Sequence, residues 1–170
     1  MFKIGDEIIY SVHGLCKIDD ICEKTISGVT KQYYVLQPLG QSNLTISTPV
    51  DNDKVVILKK LTKDEAVAIL QTFQQPGVDW IHDVKLRAKS YNQIIKTGNR
   101  NEIAKVANTL MRKDSELQNN KKRLYDYDRK LLTTIQDILF KELADALNTN
   151  LQQINDQIDS MIKEDTTTLV

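Results

Sequence analysis

Asp79-Trp80-Ile81-His82-Asp83-Val84-Lys85-Leu86-Arg87-Ala88-Lys89 follows closely on the break Pro76-Gly77 and holds the only tryptophan of the chain. The fold turns on this stretch. Before residue 60, short β-type runs alternate with glycine-containing turns, whereas after it apolar residues recur at three- and four-residue spacing. Within the stretch, Asp79 stands as an N-cap with Trp80 at the first helical position. Val84, Ala88, Tyr91, Ile94 and Ile95 form an apolar stripe, while Lys85, Lys89 and Lys96 fall toward another face. The spacing therefore predicts an amphipathic helix with a basic side, ended by Gly98 as a C′ glycine.

Outward from there, more helices follow. Thr62 and Glu65 make a capping box that opens a helix through Ala66, Ile69, Leu70 and Phe73. Asn99 with Glu102 opens another, with Ile103, Val106, Leu110 and Met111 on its core face. Residues 114–125 read as a polar connection carrying the basic run Lys121-Lys122-Arg123. Asp126 opens a helix whose apolar residues are Leu131, Leu132, Ile135, Ile138, Leu139, Leu143 and Leu147. Thr149 opens a last amphipathic helix with Leu151, Ile154, Ile158, Met161 and Ile162, and residues 164–170 read as a frayed tail.

The first sixty residues read as strands over 4–10, 15–26, 32–39, 44–48 and 55–58, with a turn at Gly5-Asp6 before the first and tight connections at Val12-His13-Gly14, Ser27-Gly28-Val29-Thr30 and Gly40-Gln41-Ser42-Asn43. The second run changes parity in its middle. Cys16 and Ile18 share a face, yet the next apolar residues are Ile21 and Cys22, so Asp19-Asp20 marks a β-bulge. Tyr33 and Tyr34 point to opposite faces, and one of them belongs to the core. Pro38 removes a ladder donor and is expected at an edge or bulge. A long bent second strand among short ones suits a small Tudor- or SH3-like barrel. The expected fold is thus α+β: a β-barrel over 1–60, a helical bundle over 61–148, and an additional helix and tail over 149–170.

Composition excludes several function classes. The chain has 170 residues, 23 basic and 23 acidic, and 41% hydrophobic residues, which predicts packed cores rather than disorder. No apolar run approaches the roughly 20 residues of a membrane span. The N-terminus lacks a signal-peptide h-region, so a cytoplasmic protein is expected. Cys16 and Cys22 lie about 20 Å apart along one extended run, too far to bridge. His13, Cys16 and Cys22 match no standard zinc spacing and lack a fourth ligand, so no metal or cofactor is expected. No nucleophile–base arrangement, P-loop or GxGxxG is present, and an enzyme is disfavoured.

The ordered set Phe2-Lys3-Ile4-Gly5-Asp6, Ile9-Tyr10, His13-Gly14, Gly28, Tyr33-Tyr34-Val35-Leu36 and Pro49 resembles the amino-terminal domain of the CarD/CdnL transcription regulators and the polymerase-interacting domain of transcription-repair coupling factor. Trp80-Ile81, Lys85, Arg87, Ile94-Ile95-Lys96-Thr97-Gly98-Asn99 and Asp128-Arg129-Lys130-Leu131-Leu132 resemble the helical domain of the same family, in a divergent Firmicutes-type branch. The resemblance implies a barrel that binds the RNA polymerase β subunit by strand addition, and a helical domain that contacts duplex promoter DNA just upstream of the melted region. Trp80 would be a minor-groove wedge, and Lys85, Arg87, Lys89, Arg129 and Lys130 would contact DNA. Two arginines on the family's polymerase-facing surface are matched here by Lys24 and Ser47. Lysine keeps the charge without the bidentate fork; serine loses the charge. In the family register, Trp80 is shifted by about one turn, and Val84 takes the usual position. A nucleoid-associated monomer that modulates open-complex stability is expected. The alternative is an adaptor that binds only proteins, using the last amphipathic helix.

Overall fold

The computed structural model describes residues 1–10, 13–55 and 57–168, so Val12 of the first connection and Val56 of the fifth strand lie outside the described residues. The chain divides into two compact units, Met1–Lys60 and Leu61–Val170.

The first unit is a five-stranded antiparallel sheet: β1 (Glu7–Tyr10), β2 (Gly14–Ile26), β3 (Val29–Pro38), β4 (Ile46–Pro49) and β5 (Ile57–Lys59), in the order β4-β3-β2-β1-β5. β1 begins later than its sequence pattern predicts. Gly5 takes a φ of 92° and the Asp6 N–H bonds the Lys3 carbonyl at 3.1 Å, which makes residues 3–6 a turn. The β2–β3 hairpin closes through Ser27-Gly28, both at positive φ, with Ile26 paired to Val29. Two such residues are what the right-handed twist of a two-residue hairpin requires. Pairing of β3 with β4 ends at Leu36, so the missing N–H of Pro38 costs no bond on that side.

One residue decides which side chains of β2 point where. Ile18 pairs with Leu36 but Asp20 pairs with Val35, leaving Asp19 without a partner. This bulge inverts the alternation. Cys16 and Ile18 point into the core, then Ile21, opposite the buried Tyr34, points inward as well. Cys22 and Lys24 are consequently turned to the outer face. The inner face packs Ile8, Tyr10, Cys16, Ile18, Tyr34 and Leu36, with Phe2 edge-on to Tyr34. Both cysteines are free, and burial pushes the Cys16 thiol up.

The second unit is helical: α1 (Lys63–Gln71) with a 3₁₀ turn (Thr72–Gln74), α2 (Val84–Lys96), α3 (Arg100–Asn119), α4 (Asp126–Ile135), a π-helical segment (Gln136–Phe140), α5 (Lys141–Ala146) and α6 (Leu151–Thr168). The reciprocal Thr62–Glu65 capping box and the Asn99 cap form as their letters predict. α3 runs eight residues past Met111, through much of the expected polar connection. Helix also replaces the expected tail up to Thr168. One contact accounts for part of both extensions: Arg112 on α3 reaches Asp165 on α6 at 2.7 Å.

The π segment shifts the phase of the helix that α4 begins. Leu139 and Phe140 both become buried, Phe140 lies edge-on to Phe73, and Ile138, expected in the core, is 53% exposed. α6 is not an appendage. Ile154, Ile158 and Ile162 are buried in the same core as Phe73, Leu110 and Leu143.

Candidate polymerase and nucleic-acid interfaces

The outer face of the sheet brings the two expected polymerase residues together. Lys24 on β2 donates from Nζ to Ser47 Oγ on β4 at 2.7 Å, spanning β3. Beneath this bridge Lys24 Nζ lies 6.0 Å from the centre of the Tyr33 ring. Cys22, Tyr33, Val35 and Pro49 share the face and are half-buried, while the inward Tyr34 is closed off. The result is a shallow, half-apolar strip that bears Lys24, with Lys31 opposite it paired to Asp51, beside β4, an edge strand of the sheet.

In the helical unit the sequence reading of the tryptophan stretch requires two corrections. Trp80 is not on a helix. α2 begins four residues later, and its cap is Asp83, whose Oδ1 accepts from Leu86 N at 2.8 Å. Residues 79 and 83 are both aspartates able to cap, so local sequence did not choose between them. Side chains from α2 made the choice, because they satisfy the carbonyls of the irregular segment. Tyr91 Oη donates to the Asp79 carbonyl at 2.9 Å, and Arg87 Nη1 donates to the Ile81 and His82 carbonyls at 2.6 and 3.4 Å.

The second correction concerns Arg87, expected at phosphates. Its side chain is 1% exposed and its fork closes on Asp128 of α4, with Nε to Oδ1 at 3.1 Å and Nη2 to Oδ2 at 2.6 Å. Hydrogen bonding to Asp128 raises the Arg87 pKa, against the opposing effect of burial. All of its nitrogen groups are thus engaged inside the fold, and none is directed at a ligand. Trp80 packs on it, with the Arg87 Cζ 4.1 Å from the indole ring centre and Lys113 Nζ at 5.4 Å. A desolvated cation under an indole holds the ring by cation–π attraction.

α3 braces the same segment from behind. Asn108 Nδ2 donates to the Gln75 carbonyl at 2.6 Å, Thr109 Oγ1 to the Val78 carbonyl at 2.7 Å, and Arg112 Nη2 to the Phe73 carbonyl at 3.1 Å. Gly77 lies so close to α3 that a Cβ there would stand 2.4 Å from the Lys105 carbonyl oxygen. Trp80, half-buried and packed against the edge of the helical core, therefore sits on a loop tied at several carbonyls. Neither Asn108 nor Thr109 was singled out from sequence. Polar residues on the core face of an otherwise apolar helix were the available signal.

The remaining expected DNA residues are surface groups. Lys85 and Lys89 lie exposed, four residues apart on α2, and Lys130 is exposed on α4. Arg129 is exposed but bonds Asp126 at 2.7 Å. Among the described residues there is no cluster of three or more His, Cys, Asp or Glu able to hold a metal, and no helix long and apolar enough to cross a membrane.

Comparison with known proteins agrees with this two-part architecture. Residues 2–62 match the CarD-like/TRCF RID domain and residues 68–159 match the CarD C-terminal domain. The second match takes in the first half of α6. The chain is also 33% identical over 144 residues to "Putative transcription factor YdeB" of Bacillus subtilis (strain 168), covering 84% of this chain and 90% of that protein. A Tudor-like sheet joined to this helical unit, matched over nearly its whole length, means that the chain belongs to the CarD family of transcription-associated regulators.

Proposed function

We propose that the protein docks on the β subunit of bacterial RNA polymerase through the outer sheet face around Lys24 and Ser47, and contacts upstream promoter DNA through its helical unit. The observation that carries the reading is the Lys24–Ser47 bridge, which unites two positions 23 residues apart on one exposed, half-apolar surface at a sheet edge. An edge strand offers unpaired backbone groups for strand addition, and neighbouring side chains supply specificity. The protein then acts by differential affinity: it stabilises whichever promoter state it binds more tightly, by the difference between the two binding free energies.

The test uses the full chain and the β-subunit lobe of RNA polymerase from the same organism. Lys24→Glu is expected to weaken binding by about tenfold or more without altering the unfolding temperature. Equal binding by parent and variant removes the polymerase half of the reading. For the DNA half, Trp80→Ala is expected to abolish the effect on open-complex lifetime while polymerase binding persists. The protein-only adaptor reading loses much of its motive, because the apolar residues Ile154, Ile158 and Ile162 of α6 are spent on the core.

A further inference from the structure

The cations of the helical unit fall into two populations. Arg87, Arg100, Lys105, Arg112, Lys113, Arg129 and Lys141 each hold an acidic partner. Lys85, Lys89 and Lys96 on α2, Lys130 on α4 and the run Lys121-Lys122-Arg123 between α3 and α4 hold none among the described residues, and outside these elements only Lys63 at the start of α1 joins them. Ion pairing is thus widespread on the unit, whereas the exposed lysines of α2 and the approach to α4 lack it among the described residues. Unneutralised charge gathered on a few adjoining elements is the electrostatic footprint of a polyanion site.

Two tyrosines stand within this population. Tyr127 is 41% exposed, and its hydroxyl accepts a hydrogen bond from Asn92 Nδ2. Asn92 follows Lys89 by three residues and precedes Lys96 by four, so the three share one helix face. Tyr127 therefore meets α2 in the middle of its lysine row, and Lys130 follows it by three residues on α4. Tyr125 is 62% exposed, and its ring centre lies 5.9 Å from the Arg87 Cζ that also carries Trp80. It occupies the N-cap position of α4 and makes no capping hydrogen bond. Ser, Thr, Asp or Asn at that position would satisfy a free helix N–H. A residue that breaks a local rule and then exposes an aromatic ring beside unpaired lysines is a sign of function rather than of folding.

We infer that Tyr125 and Tyr127 are nucleic-acid-contacting residues, which extend the Trp80 surface along the seam of α2 and α4 into one aromatic and basic face for duplex DNA. Cations without partners supply attraction to the sugar–phosphate backbone; the rings supply apolar contact in the groove. This inference rests on the DNA half of the reading above.

The experiment is fluorescence anisotropy of a labelled DNA duplex titrated with full-length protein over a range of salt concentrations. Tyr125→Ser and Tyr127→Ala are each expected to weaken binding about fivefold or more, with the salt dependence unchanged, because neither removes a charge. Lys89→Ala is expected to flatten the salt dependence by about one counterion. Tyr125→Ser installs a capping residue and is expected to unfold at the same or a higher temperature than the parent, which separates lost contact from lost structure. Parent-like affinity in both tyrosine variants overturns the inference while leaving DNA binding intact. No salt-sensitive duplex binding by the parent overturns the inference and the DNA reading together.

Discussion

Arg87 Nη2 lies 2.6 Å from Asp128 Oδ2, and the two side chains are 1% and 2% exposed. This pair ties α2 to α4, and through the Ile81 and His82 carbonyls it ties both to the segment that bears Trp80. Removal of one partner leaves a buried charge uncompensated, a loss of about 3–5 kcal/mol. Arg87→Ala and Asp128→Asn are both expected to lower the denaturant midpoint strongly. The emission of the sole tryptophan should shift to the red as its ring gains water. Arg87→Lys keeps the charge without the fork and is expected to recover only part of the stability.

Gly77 is required by space. An added Cβ would meet Thr109 Oγ1 at 2.2 Å and the backbone of α3 at Lys105 and Thr109 at 2.4 and 2.9 Å. Gly77→Ala is expected to cost about 1–3 kcal/mol by overpacking. Because the neighbouring Val78 carbonyl is held by Thr109, the displacement should reach Trp80, where a change in fluorescence would report it. Parent-like stability and emission would show that the loop absorbs the methyl group.

Ile158 is fully buried on α6. Ile158→Ala is expected to destabilise the helical unit by about 2–5 kcal/mol, measured by urea unfolding. A change near zero would mean that α6 detaches without consequence.

Burial pushes the Glu142 carboxyl above its ordinary range, although Arg100, 2.6 Å away, pulls in the other direction. A carboxyl with a raised folded pKa binds its proton more readily in the folded state. Its ionisation thus opposes folding above that pKa, and the opposition fades as pH falls through it toward the unfolded value. Mild acidification from neutral pH should relieve this one penalty. The parent's unfolding temperature should therefore gain on that of Glu142→Gln as the pH is lowered through this window. Parallel pH profiles for the two proteins would refute the assignment.

What could be read from sequence followed from local chemistry. Thr62 with Glu65, Asn99 with Glu102, Gly98 and the parity change after Ile18 each signal their structure within a few residues, and each formed. The tryptophan segment did not yield to the same treatment. Asp79 and Asp83 offer equivalent caps, and the choice fell to Arg87 and Tyr91, whose bonds to the segment's carbonyls are tertiary. The same bonds removed Arg87 from the surface, which no helical-wheel argument anticipates for an arginine in a lysine-rich helix. The π segment was equally hidden, since the phase shift that buries Phe140 and exposes Ile138 depends on what packs against it. At the proposed polymerase face, Lys24 and Ser47 were identified by resemblance, but their direct contact is visible only in three dimensions.

Asp19 matters by its presence more than by its side chain. It is exposed and has no partner across the ladder, so Asp19→Ala or Asp19→Ser should pass almost unnoticed. Deletion of the residue is another matter. Asp20 would then follow Ile18 directly and the ladder with Leu36, Val35 and Tyr34 would close without a bulge, so Ile21 would stay inward and Lys24 outward while the strand lost its bend. What keeps Lys24 on the outer face is that the extra residue is looped out of the ladder rather than paired within it.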